Sequence, residues 1–225
     1  MPDTKFSWRG LREHLRKYFI FYLLGIALGV FGAEMLWTMT RPRIPSQASV
    51  NIYLAAGYSD AEPLQALAPD ILARLQADDD TIQQVYFESM MYNDQVYTSN
   101  MLLLTRLSVG ECDAFLASQE AMDALVSSDT LVPLDDALAA GWMSAYGLEP
   151  YAVTTEDEDT GKTATWTAGL RLDGVDALAK MGAFDNEGAF LCVTSNGGNT
   201  EAAMKALEYL MSDLTEASHA GTETA

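Results

Sequence analysis

The chain of 225 residues is long enough for one globular domain with attachments, since domains cluster at about 100 to 150 residues. It has 13 basic and 32 acidic side chains and a net charge of −19, which argues against nucleic-acid binding because that depends on Lys and Arg. Residues 1–43 hold seven basic and three acidic side chains, so they carry +4 and the remainder carries −23. The two parts are therefore expected in different environments.

Residues 18–39, YFIFYLLGIALGVFGAEMLWTM, predict a transmembrane helix. At about 1.5 Å per residue this run spans roughly the 30 Å hydrocarbon core of a bilayer. Tyr18, Tyr22 and Trp37 place aromatic rings at its two ends, as is usual at membrane interfaces. The sequence therefore predicts a cell-membrane protein with a single span.

Basic residues orient the span. Four precede it and two follow it, and they are Arg9, Arg12, Arg16 and Lys17 against Arg41 and Arg43. The positive-inside rule then predicts that residues 1–17 form a basic cytoplasmic segment and that the C-terminal domain lies outside the cytoplasm. A cleaved signal peptide is the alternative, but its apolar region usually has about 7 to 15 residues and ends at a small-x-small site. This run is longer and closes on bulky side chains, so an uncleaved anchor is favoured.

Four residues inside the predicted span stand out. Gly25, Gly29 and Ala33 recur every four residues and lie on one helix face, where small side chains let two backbones approach closely. The face is either a packing surface for another membrane helix or the ordinary use of Gly and Ala in such helices. Glu34 is an ionisable group in the span, which by default marks a functional residue. It also lies about one turn before Trp37, where its carboxylate can reach headgroup water.

A linker at residues 40–48, with Pro42 and Pro45, leads to a domain predicted at residues 49–214. Its first half alternates between strands and helices. Strands are predicted at residues 49–58, within 78–92 and at 112–118, and helices at 61–77 and 98–110, with Pro69 kinking or dividing the first helix. This order predicts an α/β fold with a mainly parallel sheet flanked by helices.

The second half of the domain adds several kinds of element. The sequence predicts a helix at residues 118–129, an extended segment and helical turn at 131–142, a β-hairpin at 151–172, a buried strand at 188–196 and a helix at 199–214. The small polar residues 215–225 are predicted to be a disordered tail. Between the predicted strands at residues 112–118 and 188–196, only the part after LVPLDD could leave the sheet. That part is too short for a second core, since domains below about 40 to 60 residues bury too little surface. One lobe is therefore expected, with the hairpin packed on or beside the sheet.

Three stretches of the domain carry a resemblance to a known family. They are RLSVGECDAFLASQEAMDAL at residues 106–125, LVPLDD at 131–136 and LCVTSNGGNTEAAMKALEYLM at 191–211. Together they resemble the first lobe of bacterial extracytoplasmic solute-binding proteins, which have a type II periplasmic-binding fold. The resemblance implies a reduced, membrane-anchored relative with a single lobe. Such proteins usually have two lobes that clamp a solute between them, so the missing half puts solute transport in doubt.

Catalytic and metal-binding patterns are poor. His219 is the one histidine of the exported domain and lies in the predicted tail, so neither a Ser-His-Asp triad nor a Cys-His pair has a usable base. The usual His and Cys ligands of zinc are lacking, and the SNGGN turn lacks the Lys and spacing of a phosphate loop. The acidic run at residues 156–161 matches no calcium loop and is interpreted as a solvated hairpin tip. We expect no enzyme, no cofactor and no metal site.

Cys112 and Cys192 fall in predicted buried strands. Two cysteines in an exported domain favour a disulfide bond. Buried free cysteines are equally common in strand cores, where they act as small apolar residues. Both interpretations stay open at the level of the sequence.

A ligand site, if there is one, is expected where parallel strands end. The residues concerned are Tyr58 and Ser59 after the first strand, Tyr92 and Asn93 after the second, and Ser118 after the third, with Trp142 and Trp166 as stacking aromatics. The predicted function is that of a membrane-tethered binding module for a protein partner or a small solute. The alternatives are a ligand-capturing component of an importer, with a permease as partner, or of a sensor, and an assembly protein of a membrane complex.

Overall fold

The N-terminal part of the described chain is a long helix with a kink. The computed structural model describes residues 8–40, 44–156 and 163–222, and α1 occupies Trp8–Thr40. Its backbone departs from helical geometry at Tyr18, with φ −112° and ψ 15°, where the predicted apolar span begins. Within it, Arg16–Thr40 is long enough to cross a membrane, and its most apolar 18-residue window has a mean hydropathy of 2.0. A signal sequence would meet the same description.

Residues Ile44–Ala225 cluster into a second compact unit. It has six strands and seven α-helices among the described residues. In chain order these are β1 (Ser49–Ala56), α2 (Glu62–Gln65), α3 (Ala68–Asp78), β2 (Gln84–Met91), α4 (Tyr97–Val109), β3 (Ala114–Ser118), α5 (Gln119–Ser127), α6 (Asp135–Ala139), β4 (Pro150–Glu156), β5 (Thr163–Arg171), α7 (Asp176–Lys180), β6 (Ala189–Val193) and α8 (Thr200–Thr222). Pro69 lies in the first turn of α3, where its missing N–H does no harm, and the predicted first helix is divided just before it.

The six strands form one sheet in the order β2-β1-β3-β6-β5-β4. β1 pairs in parallel with β2 and with β3, as the strand-helix-strand pattern predicts. β6 is antiparallel to both β3 and β5, and β4 is antiparallel to β5. The sheet is therefore mixed, and the prediction of a mainly parallel sheet is wrong. The two strands of the hairpin, β4 and β5, extend the sheet at one edge and add antiparallel pairs. The direction of β6 could not be predicted, because a buried run such as AFLCV indicates a strand but not its direction.

Helices cover both faces of the sheet. One hydrophobic cluster joins alternate strand residues such as Ile52 and Leu116 to the helices α2, α3, α7 and α8. The other joins Tyr53, Phe115 and their neighbours to α4 and α5. Because side chains of a strand point alternately to the two faces, a single buried strand such as β1 serves both clusters. The result is a three-layer α/β/α arrangement with α4 on the less covered side.

The last helix is longer than predicted. α8 packs through Ala203, Ala206, Leu207, Leu210 and Leu214, which are all buried. The sequence predicted an end at residue 214 and a disordered tail from 215, but helical backbone continues to Thr222. Ala and Glu in TEASHAG are good helix formers, and Gly221 is the first residue that opposes continuation. Residues 223–225 and the acidic hairpin tip at 157–162 lie outside the described residues.

Gly169 in β5 has no room for a side chain. A Cβ there would lie 2.7 Å from the carbonyl oxygen of Leu191 and 3.0 Å from the Cε atom of Met122. We expect Gly169→Ala to lower the free energy of unfolding by about 1–3 kcal/mol, because the strand and its neighbours must shift. Denaturant unfolding of the full-length protein in detergent, followed by circular dichroism, measures this change.

Gly174 is the matched control, since a Cβ there meets nothing within 4 Å. Gly174→Ala should leave stability unchanged or raise it by up to about 1 kcal/mol, because alanine restricts the unfolded chain. Equal effects of the two substitutions would contradict the close packing of β5 against β6.

Candidate functional site

Most residues of the predicted strand-end site form hydrogen bonds within the protein. Tyr58 projects into solvent after β1, but Tyr92 after β2 is only 1% exposed. The Tyr92 hydroxyl donates to Oδ1 of Asn100 at 2.5 Å, and burial raises the pKa of this hydroxyl. Tyr92 is therefore a core residue that fastens the start of α4. Of the two tyrosines, only Tyr58 is exposed and could contact a ligand at the surface.

The three polar residues of the predicted site hold local turns. The Ser59 hydroxyl donates to the carbonyl oxygen of Leu54 at 3.1 Å. Oδ1 of Asn93 accepts from the backbone N–H of Gln95 at 2.9 Å. Ser118 caps α5, where its hydroxyl oxygen accepts from the N–H of Ala121 at 3.4 Å. Their polar atoms serve the fold, as is common for Ser and Asn at turns and caps.

The two predicted stacking tryptophans lie apart from the strand ends and from each other. Trp142 packs against the α8 side of the sheet, and its indole N–H donates to the carbonyl oxygen of Met204 at 3.1 Å. Trp166 packs on the opposite side, within the hairpin, and its indole N–H donates to the Thr155 hydroxyl at 3.3 Å. The seven predicted ligand residues are therefore not assembled into one pocket.

Two cavities of the domain lie elsewhere. One of about 500 Å³ is bounded by the loop after α6, the loop after β5 and the buried side of α8, with Arg171, Asp173 and Leu214 among its lining residues. Arg171 donates through Nε to Oδ2 of Asp173 at 2.7 Å, and its guanidinium carbon lies 5.4 Å from the centre of the Phe190 ring. A second cavity of about 460 Å³ lies beside the start of α8. None of the seven predicted ligand residues lines either cavity.

The outer side of α4 is exposed and apolar. The inner side buries Leu103 and Leu107, and the helix ends at Gly110, whose φ of 70° suits glycine. Of the ten exposed large apolar side chains described in Ile44–Ala225, six lie between positions 96 and 109. We call these six the α4 surface, which consists of Val96, Tyr97, Met101, Leu102, Leu104 and Val109. Such an exposed patch marks an interaction site more often than chance.

The α4 surface is also free of charge. Arg106, the one charged residue of α4, lies toward the sheet, where its guanidinium forms an ion pair with Glu88 at 2.8 Å. The same guanidinium donates to the Tyr53 hydroxyl at 2.6 Å, and burial raises the pKa of this hydroxyl. The only cation of the helix is therefore held on its inner side. Thr98, Thr105 and Ser108 supply the remaining outer positions.

Sequence reasoning found the Leu-rich side of α4 but missed its outer surface. The signal was present in TSNMLLLTRLSVG, which has a single charged residue in a part of the chain with a net charge of −23. A helix that is apolar all round is normally buried. In the described residues α4 is covered on one side only, so its other side is available.

The two cysteines are free and buried. Cys192 lies opposite Phe115 in the β3–β6 pair, and Cys112 precedes Phe115 by three residues, so the two are not cross-strand neighbours. The predicted possible disulfide is therefore absent, and the alternative of buried apolar cysteines applies. Burial raises the pKa of each thiol to about 12, which makes both unreactive near neutral pH.

The small-residue face of α1 has no partner within the described chain. A Cβ placed on Gly25 or Gly29 would meet nothing within 4 Å, and Ala33 and Glu34 are exposed. The carbonyl oxygen of Glu34 accepts from the Thr38 hydroxyl at 2.9 Å. Helix packing by this face and a role for Glu34 stay predictions.

A buried carboxylate joins the two halves of the sheet. Asp113 is 1% exposed, and its Oδ2 accepts from the N–H of Asn51 at 2.8 Å while its Oδ1 accepts from the N–H of Asn199 at 3.1 Å. The N–H of Gly198 is a further donor. Burial outweighs these hydrogen bonds and raises the pKa of the Asp113 carboxyl.

No protein-family model matches this chain, and no curated protein matches it in sequence.

Asp113→Ala leaves three backbone donors without their acceptor. We expect it to lower the free energy of unfolding by at least about 1–3 kcal/mol, the usual cost of buried unsatisfied polar groups. Asp80→Ala is the control, because Asp80 is exposed, and it should change stability by less than about 0.5 kcal/mol. Denaturant unfolding of the full-length protein in detergent compares the two variants.

The stability difference between the unsubstituted protein and Asp113→Ala should depend on pH, and the direction of this dependence follows from the pKa of Asp113. Because the folded-state pKa of Asp113 is raised, the protonated carboxyl is favoured in the folded protein, and its contribution decreases as pH rises through that pKa. The stability difference between the unsubstituted protein and Asp113→Ala should be larger at pH 5 than at pH 7.5. This range stays above the pI of about 4.2. A difference that grew with pH would contradict the raised pKa.

Proposed function

We propose that this chain is a single-pass membrane protein whose exported α/β domain is a binding module for a protein partner. The observation that supports the proposal is the α4 surface. Its six apolar side chains are exposed on a side of α4 that carries no charged residue. Cores of protein interfaces are depleted in charged residues and enriched in Met and aromatic residues. A partner that covers this surface removes apolar area from water, which favours association.

The membrane part of the proposal is supported by α1 and its flanks. Arg16–Thr40 is apolar and long enough to cross a bilayer. The larger number of basic residues before it favours a cytoplasmic N-terminus and an exported domain. An uncleaved anchor keeps the domain at the membrane, whereas cleavage as a signal sequence would release it.

The solute-binding-protein type is also part of the proposal. The stretches that carry the resemblance fold as α4, β3 and α5, as an extended segment before α6, and as β6 and α8. Residues Ile44–Ala225 form one compact unit, in which the hairpin β4–β5 occupies the sheet edge. These features support a reduced relative with one lobe, which is better suited to docking on a protein than to clamping a solute.

A small solute is the second candidate, and the cavity beside Arg171 favours it. Its volume of about 500 Å³ is in the range of small-molecule pockets. Tyr146, Leu148 and Met211 give apolar walls, and the guanidinium of Arg171 offers donors to a carboxylate on the solute. The carboxylates of Glu149 and Asp173 at the same cavity oppose such an anion, so the protein partner is the better supported function.

Protease digestion tests the membrane topology. When protease is added to intact cells or spheroplasts, we expect loss of the domain after Ile44 and protection of residues 1–17, because the basic flank retains the N-terminus inside. An epitope at each end of the chain follows the two parts. Protection of the large domain would contradict the proposed orientation.

Site-specific photo-crosslinking tests the α4 surface. A benzophenone amino acid at the position of exposed Thr105 should form an adduct with a protein in the native membrane, whereas the same group at exposed Glu201 on α8 should not. Met101→Asp, introduced with the Thr105 probe, should remove the adduct because a charge must then be buried at the interface. Equal adducts from both positions, or adducts unaffected by Met101→Asp, would contradict the proposal.

A further inference from the structure

The cavity of about 500 Å³ beside α8 combines an apolar wall with charged residues. The wall includes Tyr146, Leu148, Val175, Met211 and Leu214, and the charged residues are Glu149, Arg171 and Asp173. We infer that this cavity binds a small organic cation, an amine with an apolar body. The inference rests on the second candidate function, a small solute, and gives that solute a positive charge in place of a carboxylate. It does not depend on the α4 surface.

The loop that bounds the cavity has a strained backbone. Between α6 and β4, Gly141, Met143 and Gly147 have positive φ values of 95°, 59° and 63°. Met143 is 3% exposed, and a bulky residue other than glycine adopts this conformation only at a cost in free energy. Strain of this kind is concentrated at active sites and ligand sites. The loop at residues 141–147 is therefore a candidate wall of a binding site on grounds other than the cavity itself.

Two hydrogen bonds hold this loop on α8. The indole N–H of Trp142 donates to the carbonyl oxygen of Met204 at 3.1 Å. The Tyr146 hydroxyl donates to the carbonyl oxygen of Glu208 at 3.2 Å, about one helical turn further along α8. The cavity is therefore preformed, which favours binding because no loop has to be ordered when a ligand enters.

Two of the three charged residues at the cavity neutralise each other. Nε of Arg171 donates to Oδ2 of Asp173 at 2.7 Å, and the N–H of Gly188 donates to Oδ1 of Asp173 at 2.7 Å. The hydrogen bonds from Gly188 and Arg171 lower the pKa of the Asp173 carboxyl. Asp173 is therefore ionised at neutral pH, and the charge of Arg171 balances it.

Glu149 gives the cavity an unbalanced negative charge. Its side chain is exposed, and within the described part of the chain its carboxylate has neither a hydrogen bond nor an ion pair. This charge repels an anionic solute and attracts a cation. Residues 44–225 carry six basic and 29 acidic side chains, so the field of the whole domain also favours the approach of a cation.

The apolar wall favours an organic cation over a metal ion. A metal ion needs several oxygen, nitrogen or sulfur ligands, and the described residues contain no group of three or more His, Cys, Asp or Glu that could hold one. An amine with a ring or short chain uses both parts of the cavity, because its ammonium meets Glu149 while its apolar body is removed from water against Leu148 and Met211. An ion pair at an exposed carboxylate is weak, so the apolar body has to supply much of the affinity.

Fluorine NMR of the full-length protein in detergent tests this inference. The probes are para-fluorobenzylamine, para-fluorobenzyl alcohol and para-fluorobenzoate, which share one ring and are positive, neutral and negative near neutral pH. A salt concentration of about 0.15 M screens charges further than about 8 Å from the ligand. The amine should bind saturably and about fivefold more tightly than the alcohol or the benzoate, the upper range for an ion pair at an exposed carboxylate.

Glu149→Gln removes the charge and keeps the shape of the side chain. It should weaken binding of the amine to the level of the alcohol and leave binding of the alcohol unchanged. Glu120→Gln is the matched control, since Glu120 is exposed at the start of α5, which packs on the other side of the sheet, and the substitution removes the same charge from the domain. This control should bind the amine as the unsubstituted protein does. Binding of the probes to detergent is equal in all three samples and cancels in the comparison.

The selectivity of the unsubstituted protein keeps the test independent of how the variants fold. Equal affinities for the three probes, or no saturable binding of the amine, would overturn the inference. Tighter binding of the benzoate than of the amine would overturn it in favour of an anionic solute. Equal weakening by Glu149→Gln and Glu120→Gln would assign the binding to the general charge of the domain and would overturn the site. The docking role of the α4 surface stands or fails separately, with the photo-adduct at Thr105.

Discussion

The carboxylate of Asp113 is the interaction on which the arrangement of the domain depends. It follows the loop after α4, and it accepts backbone N–H groups from Asn51 in β1 and Asn199 before α8. Its own backbone bonds to β1 and to Thr194 after β6, so one residue joins the parallel and antiparallel parts of the sheet. Gly197 lies so close that a Cβ would be 2.5 Å from Oδ1. A buried carboxylate is costly, and its hydrogen bonds reduce that cost without cancelling it, while they hold three segments of the chain together.

The same cluster fixes the point where the chain joins the domain. The side-chain amide of Asn199 donates to the carbonyl oxygens of Ser46 at 3.1 Å and Ser49 at 2.9 Å. The last residues before β1 are thus held against the loop that precedes α8.

Much of this architecture follows from local signals in the sequence. Pro69 divides α2 from α3, and the apolar runs of β1, β3 and β6 are buried as predicted. The periodicity of apolar residues shows neither the direction of a strand in the sheet nor which residues other elements cover. AFLCV reads the same in a parallel or an antiparallel strand, and Tyr92 at a strand end reads the same whether its hydroxyl meets a ligand or Asn100. The exposed side of α4 was missed for the same reason, because a pattern shows that residues are apolar and not which of them remain uncovered.

The inner and outer sides of α4 are two parts of one electrostatic arrangement. Placing Arg106 inside, between Glu88 and Tyr53, costs desolvation of a charge, and the ion pair and hydrogen bond offset that cost. The consequence is an outer side on which no charge has to be desolvated when another surface covers it. In an otherwise acidic domain, that absence of charge lowers the free-energy cost of covering the α4 surface. The cost of covering the acidic surfaces elsewhere on the domain remains high. A weak apolar contact can then be selective, because the rest of the domain surface repels other acidic surfaces.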